Sequence, residues 1–363
     1  MHGLADTSYK FGTGRMLMEH GLLEHIGDEL RYFGKRPYLI GGPTAQALIR
    51  PRIEEGLHKS GLIGTYGVHA GHVCHQAARE KAQEAQLHGC DVVIAVGGGR
   101  AMDFGKLVAY YANTSVICLP TSASTCAAYT PFSLVYSPEG KALPGNFCYD
   151  LENAALWIDL DIMAMQPPRY LISGMLDAMA KMLEIKNGRQ QLHADACPKP
   201  LYAGYLLAQY SYEQLLASTD TVLRDLAEHR MSPALQDTIF FNIPLTGIIS
   251  GLSRGVGQSA IAHAIYYQLR TLFPEETSKA LHGEIVGLGL IPQMYYNGEA
   301  DQVEGFRHFL QHVQAPTCLS EVGFPLSDQH FEQLCSALVS SEYVAQDAAS
   351  RARFAQAMAL IAH

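Results

Sequence analysis

The chain of 363 residues is 48% hydrophobic and 17% charged, with a formal net charge of -9. This composition permits a large buried core, and the length favours two domains because one core usually stops growing at about 250–300 residues. The acidic balance, without a cluster of Lys and Arg, argues against a nucleic-acid partner.

No stretch of the sequence predicts secretion or membrane insertion. Residues 1–10 lack the apolar region of a signal peptide, and no run of about 18 apolar residues would span a bilayer. The eight cysteines include no CxxC pair, and scattered cysteines in a chain of this length indicate reduced thiols. We therefore expect a cytoplasmic protein without a membrane partner.

The first half of the chain alternates short apolar strands with helical patterns. We predict strands at 37–42, 92–96, 115–119 and 155–160, helices near 16–31, 45–60, 72–88 and from 100 onward, and a hairpin from 132 to beyond 141. Such alternation predicts βαβ units and a parallel doubly wound sheet. After Pro167 and Pro168 the apolar spacing is mostly helical. We therefore predict an α/β domain over 1–161 and an all-α domain over 162–363.

The most informative stretch is an apolar strand followed directly by three glycines. Val92–Val96 is apolar without alternation, as in a strand buried on both faces of a parallel sheet. A helical pattern starts right after Gly97–Gly99. A glycine turn at a helix N-terminus favours a phosphate, because free N–H groups and the helix dipole face it. A tight turn without a ligand fits the stretch equally well. Thr121–Thr125 also follows a strand end, so it should line the same crevice.

Three polar residues in the helical half lie in unusually apolar sequence, namely Asp177, His263 and His282. Taken alone, Asp177 fits an ion pair with Lys181 four residues later, and each histidine fits a hydrogen-bonded core residue. Taken together, one carboxylate and two imidazoles are a usual ligand set for Zn²⁺ or Fe²⁺ that leaves positions open for water or substrate. Their spacing does not show that they meet, because they lie far apart in the chain.

Five motifs in a fixed order resemble the metal-dependent, iron-containing (group III) alcohol dehydrogenases. They are Gly97–Asp103 with Lys106, Pro120–Thr125, Ser173–Asp177, Ala262-His263 and His282–Glu284. The resemblance covers most of the chain and weakens toward its end. Within this family the chain is similar to the glycerol dehydrogenase branch, and Thr121–Tyr136 is most similar to bacterial hydroxycarboxylate dehydrogenases.

The resemblance implies a dehydroquinate synthase-like fold, with an N-terminal nucleotide-binding domain, a helical C-terminal domain and the active site between them. It implies that Asp177, His263 and His282 bind one divalent metal, Zn²⁺ or Fe²⁺, with Mn²⁺ and Ni²⁺ also permitted by the ligand type. Hydride would pass between NAD(P)(H) and a small substrate whose oxygen meets the metal. Residues implied to bind the dinucleotide are Gly42, Thr44, Gly98, Gly99, Asp103, Lys106, Thr121, Ser124, Thr130, Phe132 and Tyr136.

One departure from the family concerns the substrate. Cys126 stands where glycerol dehydrogenases carry an aspartate that meets the polyol. A thiol is uncharged at its usual pKa and is a weaker acceptor than a carboxylate. Loss of that negative charge favours an anionic substrate such as a 2-oxo acid over glycerol. A cysteine that only packs in the core is the alternative.

Other departures concern the dinucleotide and the proton relay. Thr44 follows the strand that ends at Gly42, where NAD-preferring relatives carry an aspartate that would repel a 2′-phosphate. This change favours NADP(H) slightly, with use of both dinucleotides as the alternative. Tyr266 stands where the family has a second histidine, so either this tyrosine or solvent would carry the proton. The segment before His282 is slightly longer than usual, which makes His282 the least secure of the three ligands.

Four interpretations remain open from the sequence. The first is a metal-dependent NAD(P)-linked enzyme that acts on small 2-oxo acids and 2-hydroxycarboxylates. The second is an NAD-linked glycerol or diol dehydrogenase. The third is a dehydroquinate synthase-like lyase, which would need a higher density of Lys, Arg and His than this chain offers. The fourth is a non-catalytic nucleotide-binding relative. By analogy we also expect a homo-oligomer.

Overall fold

The computed structural model describes residues 9–143, 145, 147–150, 152–254 and 256–362. Within them, six parallel strands form one sheet in the order β1-β8-β5-β4-β2-β3 and two short strands pair antiparallel. The strands are β1 Thr13–Glu19, β2 Pro37–Gly41, β3 Thr65–Val68, β4 Val92–Gly97, β5 Ser115–Pro120, β6 Phe132–Ser133, β7 Phe147–Cys148 and β8 Asn153–Asp159.

Helices flank the sheet and make up the regular structure that follows β8 in the described residues. They are α1 Ile26–Leu30, α2 Pro43–Lys59, α3 His75–Leu87, α4 Gly99–Ala112, α5 Leu160–Met163, α6 Pro168–Lys186, α7 Lys199–Ala227, α8 Pro233–Phe240, α9 Thr246–Leu252, α10 Ile261–Leu272, α11 His282–Asn297, α12 Val303–His312, α13 Asp328–Val339 and α14 Ala348–Ala359. A π-helix, Phe241–Leu245, joins α8 to α9 around Pro244. The predicted fold class, a parallel doubly wound sheet followed by a helical region, is confirmed.

The central strand β4 is buried along its whole length, as its unbroken apolar run predicts. Alternate side chains enter two separate cores, because successive residues of a strand point to opposite faces. Ile94 packs with residues of α1 and α2, such as Leu30 and Ile53. Val93 packs with residues of α3 and α4, such as Leu107. The sheet is therefore covered on both faces by helices.

The strand order places a topological switch point between β4 and β2. After β2 the chain continues to the edge strand β3, whereas after β4 it continues in the other direction to β5. Ligands of open parallel sheets bind at the carboxyl ends of strands where the order reverses in this way. Gly42 follows β2 and Gly98 follows β4, so both lie at this point of the sheet.

The predicted helix over 16–31 is wrong in its first half. Residues 13–19 form β1, which pairs in parallel with β8, for example Leu17 opposite Trp157. Only Ile26–Leu30 is α-helical. The hydrogen-bond partners of β1 lie far along the chain, so local apolar spacing carries no signal of this pairing. The predicted hairpin is confirmed by β6, β7 and the bridge between Tyr136 and Ala142.

The chain divides into two compact units. One contains the described residues up to Pro168 together with Asp220–Gly247, and the other contains Arg169–Thr219 together with the described residues from Ile248 onward. The predicted boundary after residue 161 lies near the first of these divisions. It could not anticipate the return of residues 220–247 to the first unit. Among the described residues, no helix combines the length and the apolar character that crossing a membrane requires.

Two helical glycines should respond in opposite directions to alanine. A Cβ at Gly105 of α4 would lie 2.3 Å from the Ala95 Cβ of β4, whereas a Cβ at Gly305 of α12 meets nothing within 4 Å. We expect G105A to destabilise by about 1–3 kcal/mol through overpacking, and G305A to stabilise by about 0.5–1 kcal/mol through helix propensity. Thermal unfolding of both variants checks this. Equal shifts would contradict the close helix–sheet contact.

Candidate metal centre and dinucleotide site

The three predicted metal ligands converge in the second unit. Asp177 lies in the middle of α6, His263 in the first turn of α10, and His282 is the first residue of α11. Asp177 Oδ1 lies 3.3 Å from His263 Nε2 and 3.4 Å from His282 Nε2. One donor atom from each residue falls within 4.8 Å of the other two.

The donor set fits a divalent cation. Asp177 Oδ1 is buried and accepts no hydrogen bond, although buried oxygens normally find a donor. Metal–ligand bonds of about 2.0–2.1 Å in a tetrahedron give ligand–ligand distances of about 3.3–3.4 Å, which matches both separations from Oδ1. Without a cation or a shared proton, lone pairs would face each other here.

Glu184 fixes the orientation of His263. Its Oε2 lies 2.5 Å from His263 Nδ1, so the Nδ1–H donates to the carboxylate and Nε2 is left as the donor atom that faces Asp177. Glu184 Oε1 accepts from the backbone N–H groups of Ala260 at 2.7 Å and His263 at 2.9 Å. Metal-binding histidines are commonly held by a carboxylate in this way.

Charge and burial set the protonation of this cluster. Burial alone would raise the pKa of Asp177, but the two imidazoles bring it well below its usual range. Burial lowers the pKa of His282. For His263, burial would lower the pKa, but the Glu184 carboxylate raises it above its ordinary value. A proton and a cation therefore compete for Nε2 of His263.

Small residues bring the three ligand helices into close contact. A Cβ at Gly283 of α11 would lie 1.8 Å from the Ser173 carbonyl oxygen of α6, and the N–H of Gly283 donates to Ser173 Oγ. A Cβ at Gly289 of α11 would lie 2.7 Å from Ala262 Cα of α10. Since Ser173 lies one turn before Asp177 and Ala262 directly precedes His263, these contacts place the ligands together.

The alternative interpretations, an Asp177–Lys181 ion pair and hydrogen-bonded core histidines, account for only part of this cluster. In the part of the chain that the structure describes, Asp177 makes no ion pair with Lys181, and its Oδ1 faces two imidazoles instead. His263 is hydrogen-bonded and buried as a core histidine would be, yet its second nitrogen points into the cluster. Tyr266 is buried, and its ring meets the His282 ring edge to face with centroids 4.3 Å apart.

In the first unit, the triple glycine forms the turn that the sequence predicts. Gly97 has a φ of 135°, which a glycine adopts readily, and Gly98 is the N-cap of α4. A Cβ at Gly98 would lie 3.6 Å from Ser122 Oγ, and the Thr121 N–H donates to the Gly97 carbonyl. The glycine turn and the Thr121–Thr125 loop thus lie side by side, as predicted. The N–H groups that begin α4 suit an anion here.

The loop after β5 is held by buried amide side chains. The Ala123 N–H donates to Gln166 Oε1 at 2.8 Å, and the Ala123 carbonyl accepts from Asn242 Nδ2 at 2.9 Å. Asn242 lies in the π-helix that Pro244 interrupts. Both backbone polar groups of Ala123 are satisfied, so the loop that carries Thr121 and Ser124 has a fixed backbone at this residue.

Lys106 has protein contacts that the sequence did not predict, and its contact with a dinucleotide stays a prediction. Its ammonium group is buried beside Asp103 Oδ1 at 3.1 Å and donates to the carbonyls of Ala127, Thr130 and Phe132. An ammonium has three N–H donors, and these acceptors already use them. We therefore assign Lys106 to positioning of residues 127–132. Asp103 is also buried and accepts from the Leu134 N–H, and its contact with a dinucleotide stays a prediction.

The other residues predicted to bind the dinucleotide differ in how far they are exposed to solvent. Gly42, Gly98, Gly99 and Thr121 are half-buried and Thr44 is exposed, all near the carboxyl ends of β2, β4 and β5. Ser124 is buried, with Oγ 3.3 Å from Ser122 Oγ. Thr130 is 1% exposed, whereas Phe132 and Tyr136 are half-buried. Their contacts with a dinucleotide stay predictions, as do the roles of Cys126, which is buried after that loop, and Tyr266.

Three cations lie close to Thr44 in sequence and could be considered for a 2′-phosphate, namely Lys35, Arg36 and Arg50. Lys35 and Arg36 precede β2 and so lie at the opposite end of the strand from Thr44. Arg36 pairs with Asp91, and Arg50 pairs with Glu54 and stacks over Tyr66. At this position the chain offers the Thr44 hydroxyl and the first turn of α2, whose N-cap is Gly42.

The chain is similar in sequence and fold to several known dehydrogenases. The family model of iron-containing alcohol dehydrogenases matches residues 13–149. The chain is 28% identical to a glycerol dehydrogenase of Thermotoga maritima over 85% of this chain and 83% of that protein. It is 31% identical to hydroxycarboxylate dehydrogenase A of Escherichia coli over 66% and 64%. A crystal structure of a probable glycerol dehydrogenase from Sinorhizobium meliloti has the same fold, with a TM-score of 0.79, 21% identity and 98% and 99% coverage.

These comparisons confirm the predicted resemblance to the iron-containing alcohol dehydrogenase family and its glycerol dehydrogenase branch. They also confirm the predicted enzyme class, an oxidoreductase that acts on CH–OH groups. The family implies a dinucleotide, NAD or NADP, and a divalent metal. The residues described above offer a fitting place for each.

Sequence reasoning missed Glu184. It lies seven residues after Asp177, and a helix returns to the same face after two turns. That spacing was the available signal, because it places a second carboxylate on the face of α6 that carries Asp177 and Lys181, and a buried carboxylate needs a partner.

We expect E184Q to weaken metal binding by about tenfold to a hundredfold, the usual cost of losing a ligand's orienting partner. The amide keeps the size but loses the charge that holds the His263 Nδ1–H. Competition titration with Zn²⁺ measures the effect. The control is E299Q, since Glu299 is another buried carboxylate, paired with Lys186 in the same unit. Wild-type affinity in E184Q would show that His263 needs no such partner, and equal losses in both variants would show that the effect is not specific to Glu184.

Proposed function

We propose that this chain is a metal-dependent NAD(P)-linked oxidoreductase that interconverts a small 2-hydroxycarboxylate and its 2-oxo acid. The observation that carries the proposal is the unsatisfied Asp177 Oδ1, which faces two imidazole nitrogens at 3.3 Å and 3.4 Å. The glycine turn after β4, beside the Thr121–Thr125 loop, supports the dinucleotide part. The family resemblance supports both.

The residues of this chain have distinct roles in the proposed reaction. A divalent cation held by Asp177, His263 and His282 would lower the pKa of a substrate hydroxyl and polarise a substrate carbonyl. Asp177 supplies the one negative charge of the ligand set, and Glu184 keeps the His263 lone pair directed at the cluster. Gly98 and Gly99 offer N–H groups to the pyrophosphate. Tyr266, with its ring against His282, is the proposed proton carrier in place of the family histidine.

Cys126 supports the choice of an anionic substrate. Glycerol dehydrogenases carry an aspartate at this position, and a carboxylate would repel the carboxylate of a 2-oxo acid. The thiol removes that repulsion and also removes the acceptor that a polyol would use. The likeness to a hydroxycarboxylate dehydrogenase points in the same direction.

A glycerol or diol dehydrogenase is the second candidate. Glycerol dehydrogenases are more numerous among the relatives than hydroxycarboxylate dehydrogenases. This candidate uses the same metal and dinucleotide residues. It differs only in what meets the substrate beyond its reacting oxygen.

We expect chelation to abolish NADPH oxidation with 2-oxobutyrate and Zn²⁺ or Fe²⁺ to restore it. If the metal lowers the activation barrier by about 3 kcal/mol, its removal lowers the rate by about a hundredfold. The measurement is NADPH absorbance before chelation, after it and after each metal is returned, with dihydroxyacetone as the parallel substrate. Full activity in the metal-free protein would overturn the metal mechanism. Turnover of dihydroxyacetone alone would favour the second candidate.

The variant C126D separates the two substrates within this test. An added carboxylate should shift the kcat/KM ratio from 2-oxobutyrate toward dihydroxyacetone by at least about tenfold, since that corresponds to only about 1.4 kcal/mol of repulsion. C126S is the control, because it is small and uncharged and should keep the wild-type ratio. An unchanged ratio in C126D would remove Cys126 from the substrate site.

We propose a modest preference for NADP(H), because no carboxylate follows β2 at Thr44. We expect T44D to lower kcat/KM for NADPH by about tenfold while that for NADH changes little, since the new charge would face the 2′-phosphate. T44S keeps the hydroxyl and serves as the control. Equal losses with both dinucleotides would place the adenosine end elsewhere.

A homo-oligomer and a cytoplasmic location also stay predictions, the first to be checked by light scattering.

A further inference from the structure

The segment that leads to His282 is held by two arginines. Residues 273–281 connect α10 to α11 and contain the extension noted in the sequence. Arg270 donates to the Thr277 carbonyl at 2.6 Å and to the Ala280 carbonyl at 2.5 Å. Arg169 donates to the Lys279 carbonyl at 2.9 Å and binds the Glu284 carboxylate with two nitrogens. Three carbonyls of this connection are thus fixed just before the ligand.

Arg270 shares one face of α10 with a metal ligand. His263, Tyr266 and Arg270 are spaced three and four residues apart, so they lie along one side of the helix. The Arg270 guanidinium lies over the Tyr266 ring, 5.5 Å from its centroid. The Tyr266 ring in turn meets the His282 ring edge to face at 4.3 Å. One face of α10 therefore carries the ligand His263. The same face contacts the ring of His282 through Tyr266 and the backbone that precedes His282 through Arg270.

The two arginines have different tasks. Arg169 binds Glu284, whose carboxylate also accepts from the Leu281 N–H and so caps the first turn of α11. It fixes where the helix begins. Arg270 links that beginning to α10, the helix that carries His263. The distance between the two imidazoles depends on this link, because His282 directly follows Leu281 and the fixed Ala280.

We propose that Arg270 is a positioning residue for the metal centre, which sets the place of His282 relative to His263. The inference rests on the proposed metal function of these residues. The direction of the change in cation affinity distinguishes a positioning role from a simple charge effect. Loss of a positive charge near a cation site would by itself strengthen cation binding, whereas loss of positioning weakens it.

The test is Co²⁺ binding to the full chain, followed by titration and by the visible absorption of the bound ion, in wild type, R270A and R270K. We expect both variants to bind about tenfold to a hundredfold more weakly with altered absorption bands, because lysine keeps the charge but cannot bridge two carbonyls as a planar guanidinium does. The matched control is R307A. Arg307 is also half-buried and donates to two carbonyls, of Thr317 at 3.0 Å and Leu360 at 2.8 Å, away from the ligands.

The outcomes are distinct. Weaker binding and a changed spectrum in R270A and R270K, with R307A like wild type, support the proposal. Wild-type affinity and spectrum in R270K, or equal losses in R270A and R307A at matched thermal stability, overturn it while the metal function stands. If R270A does not fold, R270K decides the question. Absence of Co²⁺ binding by the wild type overturns the proposed function and this inference with it, before any variant is compared.

Discussion

The candidate metal centre depends on one buried carboxylate, that of Glu184. It accepts three hydrogen bonds from α10, two from the backbone that begins the helix and one from the His263 imidazole. A buried charge without partners costs several kcal/mol, and removal of one partner from a buried pair typically costs about 3–5 kcal/mol. The start of α10, its position against α6 and the orientation of His263 therefore depend on the same carboxylate.

The third ligand helix is held by different means, and the difference follows from what each helix offers. The start of α10 has N–H groups that a carboxylate can satisfy. By contrast, α11 crosses α6 at Gly283, where even a Cβ would collide with the Ser173 carbonyl. Close packing of this kind fixes the crossing point but does not by itself fix the first residue, His282. The guanidinium groups of Arg169 and Arg270 supply that restraint through backbone carbonyls and the carboxylate of Glu284.

Much of the fold could be predicted from local sequence patterns. The unbroken apolar run of β4 predicted a strand buried on both faces, and the alternation of strands with helices predicted the parallel sheet. The strand β1 was missed because its hydrogen-bond partners belong to β8, more than a hundred residues away in sequence. The return of residues 220–247 to the first unit was missed for the same reason, since only a long-range contact such as that of Asn242 with Ala123 reveals it.

The candidate site was predictable to the extent that its residues face an open space. Asp177, His263 and His282 direct polar atoms at a point where no protein donor lies. Their chemistry and the family resemblance therefore both identify them as candidate ligands. Lys106, Asp103 and Glu184 are equally polar, but their partners are backbone groups or a neighbouring side chain. A sequence shows the charge and not the partner, so the backbone partners of Lys106 were not anticipated and Glu184 was overlooked. The buried charges nearest to a site are thus the residues whose roles require coordinates, because burial forces each of them to find a partner that spacing does not show.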